Sequence, residues 1–198
     1  MVIYLNDKDP DNFEKLTRNV SSLPGISSLR YSPKITNHEV TYDTPTKFDF
    51  RKIPCFCFID PAGYGGLSLK LLEVFGRDHG SDIIFFFNYN DINRAITNPK
   101  VSSNMEHLFG SEHFHSLLEK IENQHGQNRE FIIVNEMSEA IHDIGLTYTL
   151  PFRFKFEGRD RTSHYIKKVK CNYQLSTFST SLFRILKMNY VNVFLVKN

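Results

Sequence analysis

Pro54-Cys55-Phe56-Cys57-Phe58-Ile59-Asp60-Pro61-Ala62-Gly63-Tyr64-Gly65-Gly66 is the stretch that decides the fold. Its first six residues form a continuous apolar run of strand length. Such runs suit a strand covered on both faces, as in a parallel sheet. Asp60 and Pro61 end the run, Pro61 fixes the turn, and the glycines allow close backbone approach. A helix is expected from about Leu67 to Phe75, with Leu69, Leu72 and Val74 apolar. Asp82-Ile83-Ile84-Phe85-Phe86-Phe87 then reads as a second doubly buried strand, closed by Asn88-Tyr89-Asn90-Asp91. Strand, helix and strand in this order predict a parallel unit whose ligand edge lies at the strands' carboxyl ends.

Upstream, Val2 to Asn6 reads as a short buried strand. Pro10 and Asp11 suit a helix start, and Phe13, Leu16 and Val20 share one helical face. Leu23-Pro24-Gly25 stops that helix, and Ile35 to Tyr42 alternates like another strand. Downstream, Ile92 to Tyr148 is mainly helical, punctuated by Gly110, Gly126 and Asn128. That is too long for a simple crossover, so a helical insertion or subdomain over about 92–148 is expected within one domain spanning 1–198. Pro151 to Phe156 alternates at period two, Gly158-Arg159-Asp160 turns, and Thr162 to Val169 returns, which is a hairpin signal. Phe152, Phe154 and Phe156 share one strand face and read as core. A helix near Ser176 to Met188 and a tail strand near Val191 to Val196 complete the pattern.

The chain has 198 residues, 40% hydrophobic and 23% charged, as expected for a soluble globular domain with a sizeable core. A formal charge of +2 does not by itself imply nucleic acid. Lys155, Arg159, Arg161, Lys167, Lys168 and Lys170 cluster locally, either as a phosphate-facing patch for nucleic acid or as a solvated hairpin. Three cysteines, Cys55, Cys57 and Cys171, make no disulfide framework and fit a reducing cytoplasm. The start turns polar after five residues, unlike a signal peptide, and no apolar run is long enough to span a membrane. His113 and His115 fall on different helical faces, and His107 and His142 lack ligand partners at metal-site spacing, so no metal is expected.

Three groups of residues could carry chemistry. Asp7 and Asp9 follow the first strand; a carboxylate there either accepts both ribose hydroxyls of a nucleotide cofactor or complements a helix N-terminus. Asp60 could accept a hydrogen bond from a cofactor or substrate amine, with Pro61 shaping the turn and Tyr64 stacking on a planar base. The alternative is a plain strand-to-helix turn. Asn88, Asn90, Asp91 and Arg94 either line the same cleft, with Arg94 on a phosphate or carboxylate, or cap a helix.

The order of elements, a parallel unit followed by an antiparallel hairpin, resembles methyltransferase domains of the Rossmann-like type. The Asp60-Pro61-Ala62-Gly63-Tyr64 turn is similar to the Asp/Asn-Pro-Pro-aromatic turn of amino-methyltransferases, with Ala62 for the second proline and the aromatic displaced by Gly63. Five stretches in order carry a closer likeness: Leu5-Asn6-Asp7-Lys8-Asp9 with Phe13 and Leu16; Phe58 to Tyr64; Phe87-Asn88-Tyr89 with Ile92-Asn93-Arg94; Leu108-Phe109-Gly110; and Arg161-Thr162-Ser163-His164-Tyr165. Through them the chain resembles the bacterial three-Cys-motif partner family, whose members are similar to class I S-adenosylmethionine-dependent methyltransferases. The resemblance implies an S-adenosylmethionine cofactor bound by Asp7, Asp60 and Pro61, with Asp60 and Tyr64 as catalytic candidates. It implies a methyl acceptor such as a nucleobase amine, a partner protein of the radical-S-adenosylmethionine kind, and a setting in phage or mobile elements. A non-catalytic interaction subunit on the same scaffold is the alternative. Family members carry an upstream strand ending in a glycine-rich loop, and nothing before Val2 supplies it. The expectation is therefore an N-terminally truncated form (a fragment, a truncated gene product or a form completed by another chain), open to being inactive, whose sheet lacks its first, central strand and exposes an apolar edge.

Overall fold

The computed structural model describes residues 2–40, 56–61, 63–76, 81–156, 158, 162–170 and, for the backbone, 194–197. Tyr42, Pro54, Cys55, Ala62, Arg159, Arg161, Cys171 and the expected helix at 176–188 lie outside the described residues.

The elements are β1 (Tyr4–Asp7), α1 (Pro10–Ser21), β2 (Lys34–Thr36), β3 (Phe56–Asp60), α2 (Leu69–Gly76), β4 (Asp82–Phe87), α3 (Tyr89–Ala95), α4 (Ser102–Phe109), α5 (Ser111–Ile121), α6 (Gly126–Asp143), β5 (Tyr148–Lys155), β6 (Thr162–Lys170) and β7 (Phe194–Lys197). Local chemistry sets their ends. The Asp9 side chain accepts the Asn12 N–H at 3.0 Å and Pro10 opens α1, a cap worth about 1 kcal/mol. The Ser68 hydroxyl accepts the Leu71 N–H at the start of α2. Gly110, at φ 81°, joins α4 to α5 in a conformation that a side chain would strain.

The fold is mixed α/β. Seven strands form one sheet in the order β2-β1-β7-β3-β4-β6-β5. The first five are parallel, and β6 and β5 add the antiparallel hairpin, with β6 against β4. One expectation is corrected here. The centre of the sheet is not an open apolar edge, because β7 fills it. It lies parallel to both β1 and β3, with Leu195 opposite Leu5 on one side and Phe58 on the other. The tail strand is therefore an internal strand.

Strand alternation sorts the two faces. Cys57 and Ile59 of β3, Ile83, Phe85 and Phe87 of β4, and Tyr165 and Val169 of β6 face one core. Helices α2 to α6 cover that face, so the long helical stretch shares its core with the sheet. Because β1 leads to β2 in one direction and β3 to β4 in the other, right-handed crossovers put α1 on the opposite face. Among the described residues no helix is long and apolar enough to cross a membrane.

A charged strut ties α5 to α6. His113 Nδ1 lies 2.8 Å from Glu136 Oε1 and its Nε2 3.0 Å from Asp143 Oδ2, while Lys120 Nζ donates to Glu136 Oε2 at 2.6 Å. Burial would lower the His113 pKa, but the two carboxylates outweigh it and raise it above 6.5. The folded value exceeds the unfolded one, so this stabilisation is full below about 6.5 and fades as pH rises through the folded pKa. Amide exchange in α5 is expected to quicken over that window, and His113→Phe is expected to remove the change.

Candidate functional site

The direction of chain progression reverses at β7, and ligands of open α/β sheets bind outside the carboxyl ends of the strands at such a point. Asp7, Lys197 and Asp60 end β1, β7 and β3 in one register. The two aspartates therefore share a rim, and β7 separates the strands that they end. With β7 between them their Cα atoms are two strand spacings apart, about 10 Å. Both point to the face of the sheet opposite the α2–α6 core.

Asp7 is only 6% exposed. Its Oδ1 accepts the Asp9 N–H at 3.0 Å, and its main-chain oxygen accepts the Asn37 side chain at 2.8 Å. The second carboxylate oxygen has no hydrogen-bond partner among the described residues. Neighbouring Asn6 fixes this corner, accepting from the Thr36 hydroxyl at 2.8 Å and the His38 N–H at 3.2 Å, and donating to the His38 carbonyl at 2.9 Å. Asp9 is the helix cap, so for this member of the acidic pair the helix N-terminus reading holds.

Asp60 is half-buried and Pro61 buried, with Gly63 at φ 78° turning the chain behind them. Tyr64 packs partly buried against the α2–α6 core. Asn88, Asp91 and Arg94 turn upon one another. The Asn88 oxygen caps α3 at the Asp91 N–H, its amide donates to Asp91 Oδ2 at 2.5 Å, and Asp91 Oδ1 pairs with Arg94. The Asn90 amide donates to the Thr162 and Ser163 carbonyls, joining α3 to the hairpin.

His164 completes the rim. It follows from β-sheet register that Asp7, Asp60, Phe86 and His164 lie on one face. The imidazole stacks on Phe154 at 4.7 Å and 9°, leans on Phe86 at 4.5 Å, and has the Ser163 hydroxyl 2.5 Å from Nδ1. Burial lowers its pKa below 6.5, with the Asp60 carboxylate partly opposing this. It is therefore a neutral imidazole near pH 7, able to accept a proton. Phe154 and Phe156 are 43% and 45% exposed, so the aromatic face of β5 is half open rather than core.

A second polar centre lies on the other face, under α6. Glu130 Oε1 accepts from the Tyr165 and Thr162 hydroxyls, each at 2.5 Å, and Arg153 Nε lies 3.0 Å from it. Lys167 is fully buried; its Nζ donates to the Val134 carbonyl at 2.7 Å and to the Ser138 hydroxyl at 2.9 Å, and sits 5.4 Å from the centre of the Phe87 ring. Lys167 is thus removed from the basic surface cluster that the sequence suggested.

Comparison with protein-family models, curated proteins and solved structures finds no match to this chain. What the site can do therefore rests on its own chemistry. The rim offers a buried acceptor at Asp7, a second carboxylate at Asp60 and a neutral imidazole at His164. Those are groups that orient hydroxyl and amine donors and receive a proton.

Proposed function

We propose that this is an S-adenosylmethionine-dependent methyltransferase-like protein of the Rossmann-like type, with its ligand edge along the row from Asp7 to His164. The observation that carries the reading is the arrangement of strands around that edge. Chain progression through five parallel strands reverses at their centre, an antiparallel hairpin lies beyond β4, and a buried carboxylate stands at the reversal. Methyltransferase domains of this type have such a hairpin, and ordinary dinucleotide folds usually do not.

The cofactor's fit can be argued from Asp7. Asp7 keeps one carboxylate oxygen without a donor among the described residues, and two vicinal hydroxyls of a ribose would supply donors to it. S-adenosylmethionine supplies, when bound, a methyl carbon on a positively charged sulfur. Asp60 accepts an N–H of the methyl acceptor, such as a nucleobase amine, and holds its nitrogen in line. His164, kept neutral by its aromatic neighbours, accepts the proton that the acceptor nitrogen releases on methylation. Asn88, Asp91 and Arg94, already engaged with one another, shape the wall beside it.

Titration calorimetry with S-adenosylmethionine tests this. Saturable binding by the chain is expected, weakened about tenfold or more by Asp7→Asn, the loss of a charged acceptor to two hydroxyls. Equal binding by both proteins would remove Asp7 from the site, and no binding by either would remove the cofactor.

A non-catalytic interaction subunit is the second reading. Leu150, Phe154 and Phe156 on the hairpin, each at least 43% exposed, favour it as a contact surface. Co-purification of a stable complex that Asp60→Ala leaves intact would support that reading over catalysis.

A further inference from the structure

We propose that the cleft between α6 and the β5–β6 hairpin is a binding site for a small aromatic carboxylate, distinct from the rim of Asp7 and Asp60. The cleft encloses about 420 Å³, within the size of small-molecule pockets. Phe131 and Asn135 stand on its helical wall, Pro151 and Arg153 on its strand wall, and Val134 and Ser138 at its base.

Charge selects the sign of the ligand. Arg153 pairs with Glu130, and Tyr165 and Thr162 donate to the same carboxylate, so that carboxylate is already neutralised. Lys167 sits directly beneath, opposite Pro151 in the sheet. Both oxygens that accept from it, on Val134 and Ser138, are uncharged. The amine beneath the cleft thus has no carboxylate partner among the described residues, and burial pushes its pKa down to about 7. An anion in the cleft would restore the proton that burial removes.

Ser138 supplies the link between ligand and lysine. Its hydroxyl accepts from Lys167 and donates to the Val134 carbonyl at 3.1 Å. Turning that hydroxyl to a carboxylate exchanges a bond to an already engaged helix carbonyl for a charge-assisted one, while Lys167 stays attached. The ring is selected by Phe131, which is 68% exposed where it lines the cleft, with Pro151 across from it. A flat apolar body between them would cover exposed aromatic surface. The Gln127 and Asn135 amides flank this slot.

Naphthoate is a suitable probe, since the chain has no Trp to obscure its fluorescence. Saturable binding is expected. Phe131→Ala, at an exposed position that does not hold the fold, is expected to weaken it at least about tenfold, as is Lys167→Met, each change being worth roughly one good contact. Naphthamide, the same ring without the charge, is expected to bind correspondingly worse. Calorimetry in two buffers of different ionisation enthalpy is expected to show proton uptake near pH 7. Asp7→Asn is expected to bind naphthoate like the unaltered chain. Non-saturable binding, equal binding of naphthamide, indifference to both cleft variants, or loss in Asp7→Asn would each overturn the proposal.

Discussion

Replacing Val196 by proline is expected to lower the unfolding free energy by about 3 kcal/mol or more. β7 is paired on both sides, with Val196 between Asn6 and Ile59. Proline there removes an amide donor from a strand with no solvent-facing edge, and its ring forces the neighbouring strands apart. The same sheet tolerates Pro151, which lies on β5, the edge strand beyond β6. Position in the sheet, not proline itself, sets the cost. Urea unfolding followed by circular dichroism reads the effect. A midpoint equal to that of the unaltered chain would mean that the centre of the sheet does not depend on β7.

Lys167→Met is expected to act in the opposite direction. A lysine whose folded pKa is about 7, against 10.5 when exposed, destabilises the fold, because the unfolded chain holds its proton more tightly. The sign follows from proton counts. Above about 10.5 neither state is charged and the penalty vanishes. Between 10.5 and 7 the unfolded state binds more protons, so stability falls as pH falls. Below about 7 both states are charged and the penalty is full. At about 1.4 kcal/mol per unit the shift is worth on the order of 5 kcal/mol. Methionine forgoes two hydrogen bonds, of about 1 kcal/mol each, so a gain on the order of 3 kcal/mol is expected at pH 6. The gain should shrink as pH rises toward 10. A destabilised Lys167→Met protein at pH 6 would show that the ammonium is compensated in a way its neutral partners do not provide.

The parallel unit and the hairpin were legible because their signals are local. An apolar run at 54–59, another at 82–87 and two alternating strands need no distant information. The place of β7 was not legible. A four-residue apolar strand can pair with any open edge, and which one is open depends on the connections between all the others. Reading the first strand as missing followed from looking for it only upstream. Lys167 could have been found, since period two puts it between Tyr165 and Val169 on the buried side of β6. Counting it with the neighbouring lysines overrode that pattern. Asn88 and Asp91 carried both a cap spacing and a cleft reading, and the geometry gives the cap. His164 stood beside a recognised tyrosine, but its place between Phe86 and Phe154 depends on hairpin register.

The central claim is that a nucleotide-like cofactor binds where chain progression through the sheet reverses. Backbone amide shifts on titration with S-adenosylhomocysteine test it directly. Perturbations are expected to gather at Asp7 to Asp9, Thr36 to His38 and Asp60 to Gly66. Perturbations confined to α6 and the hairpin, or none at saturating ligand, would contradict it.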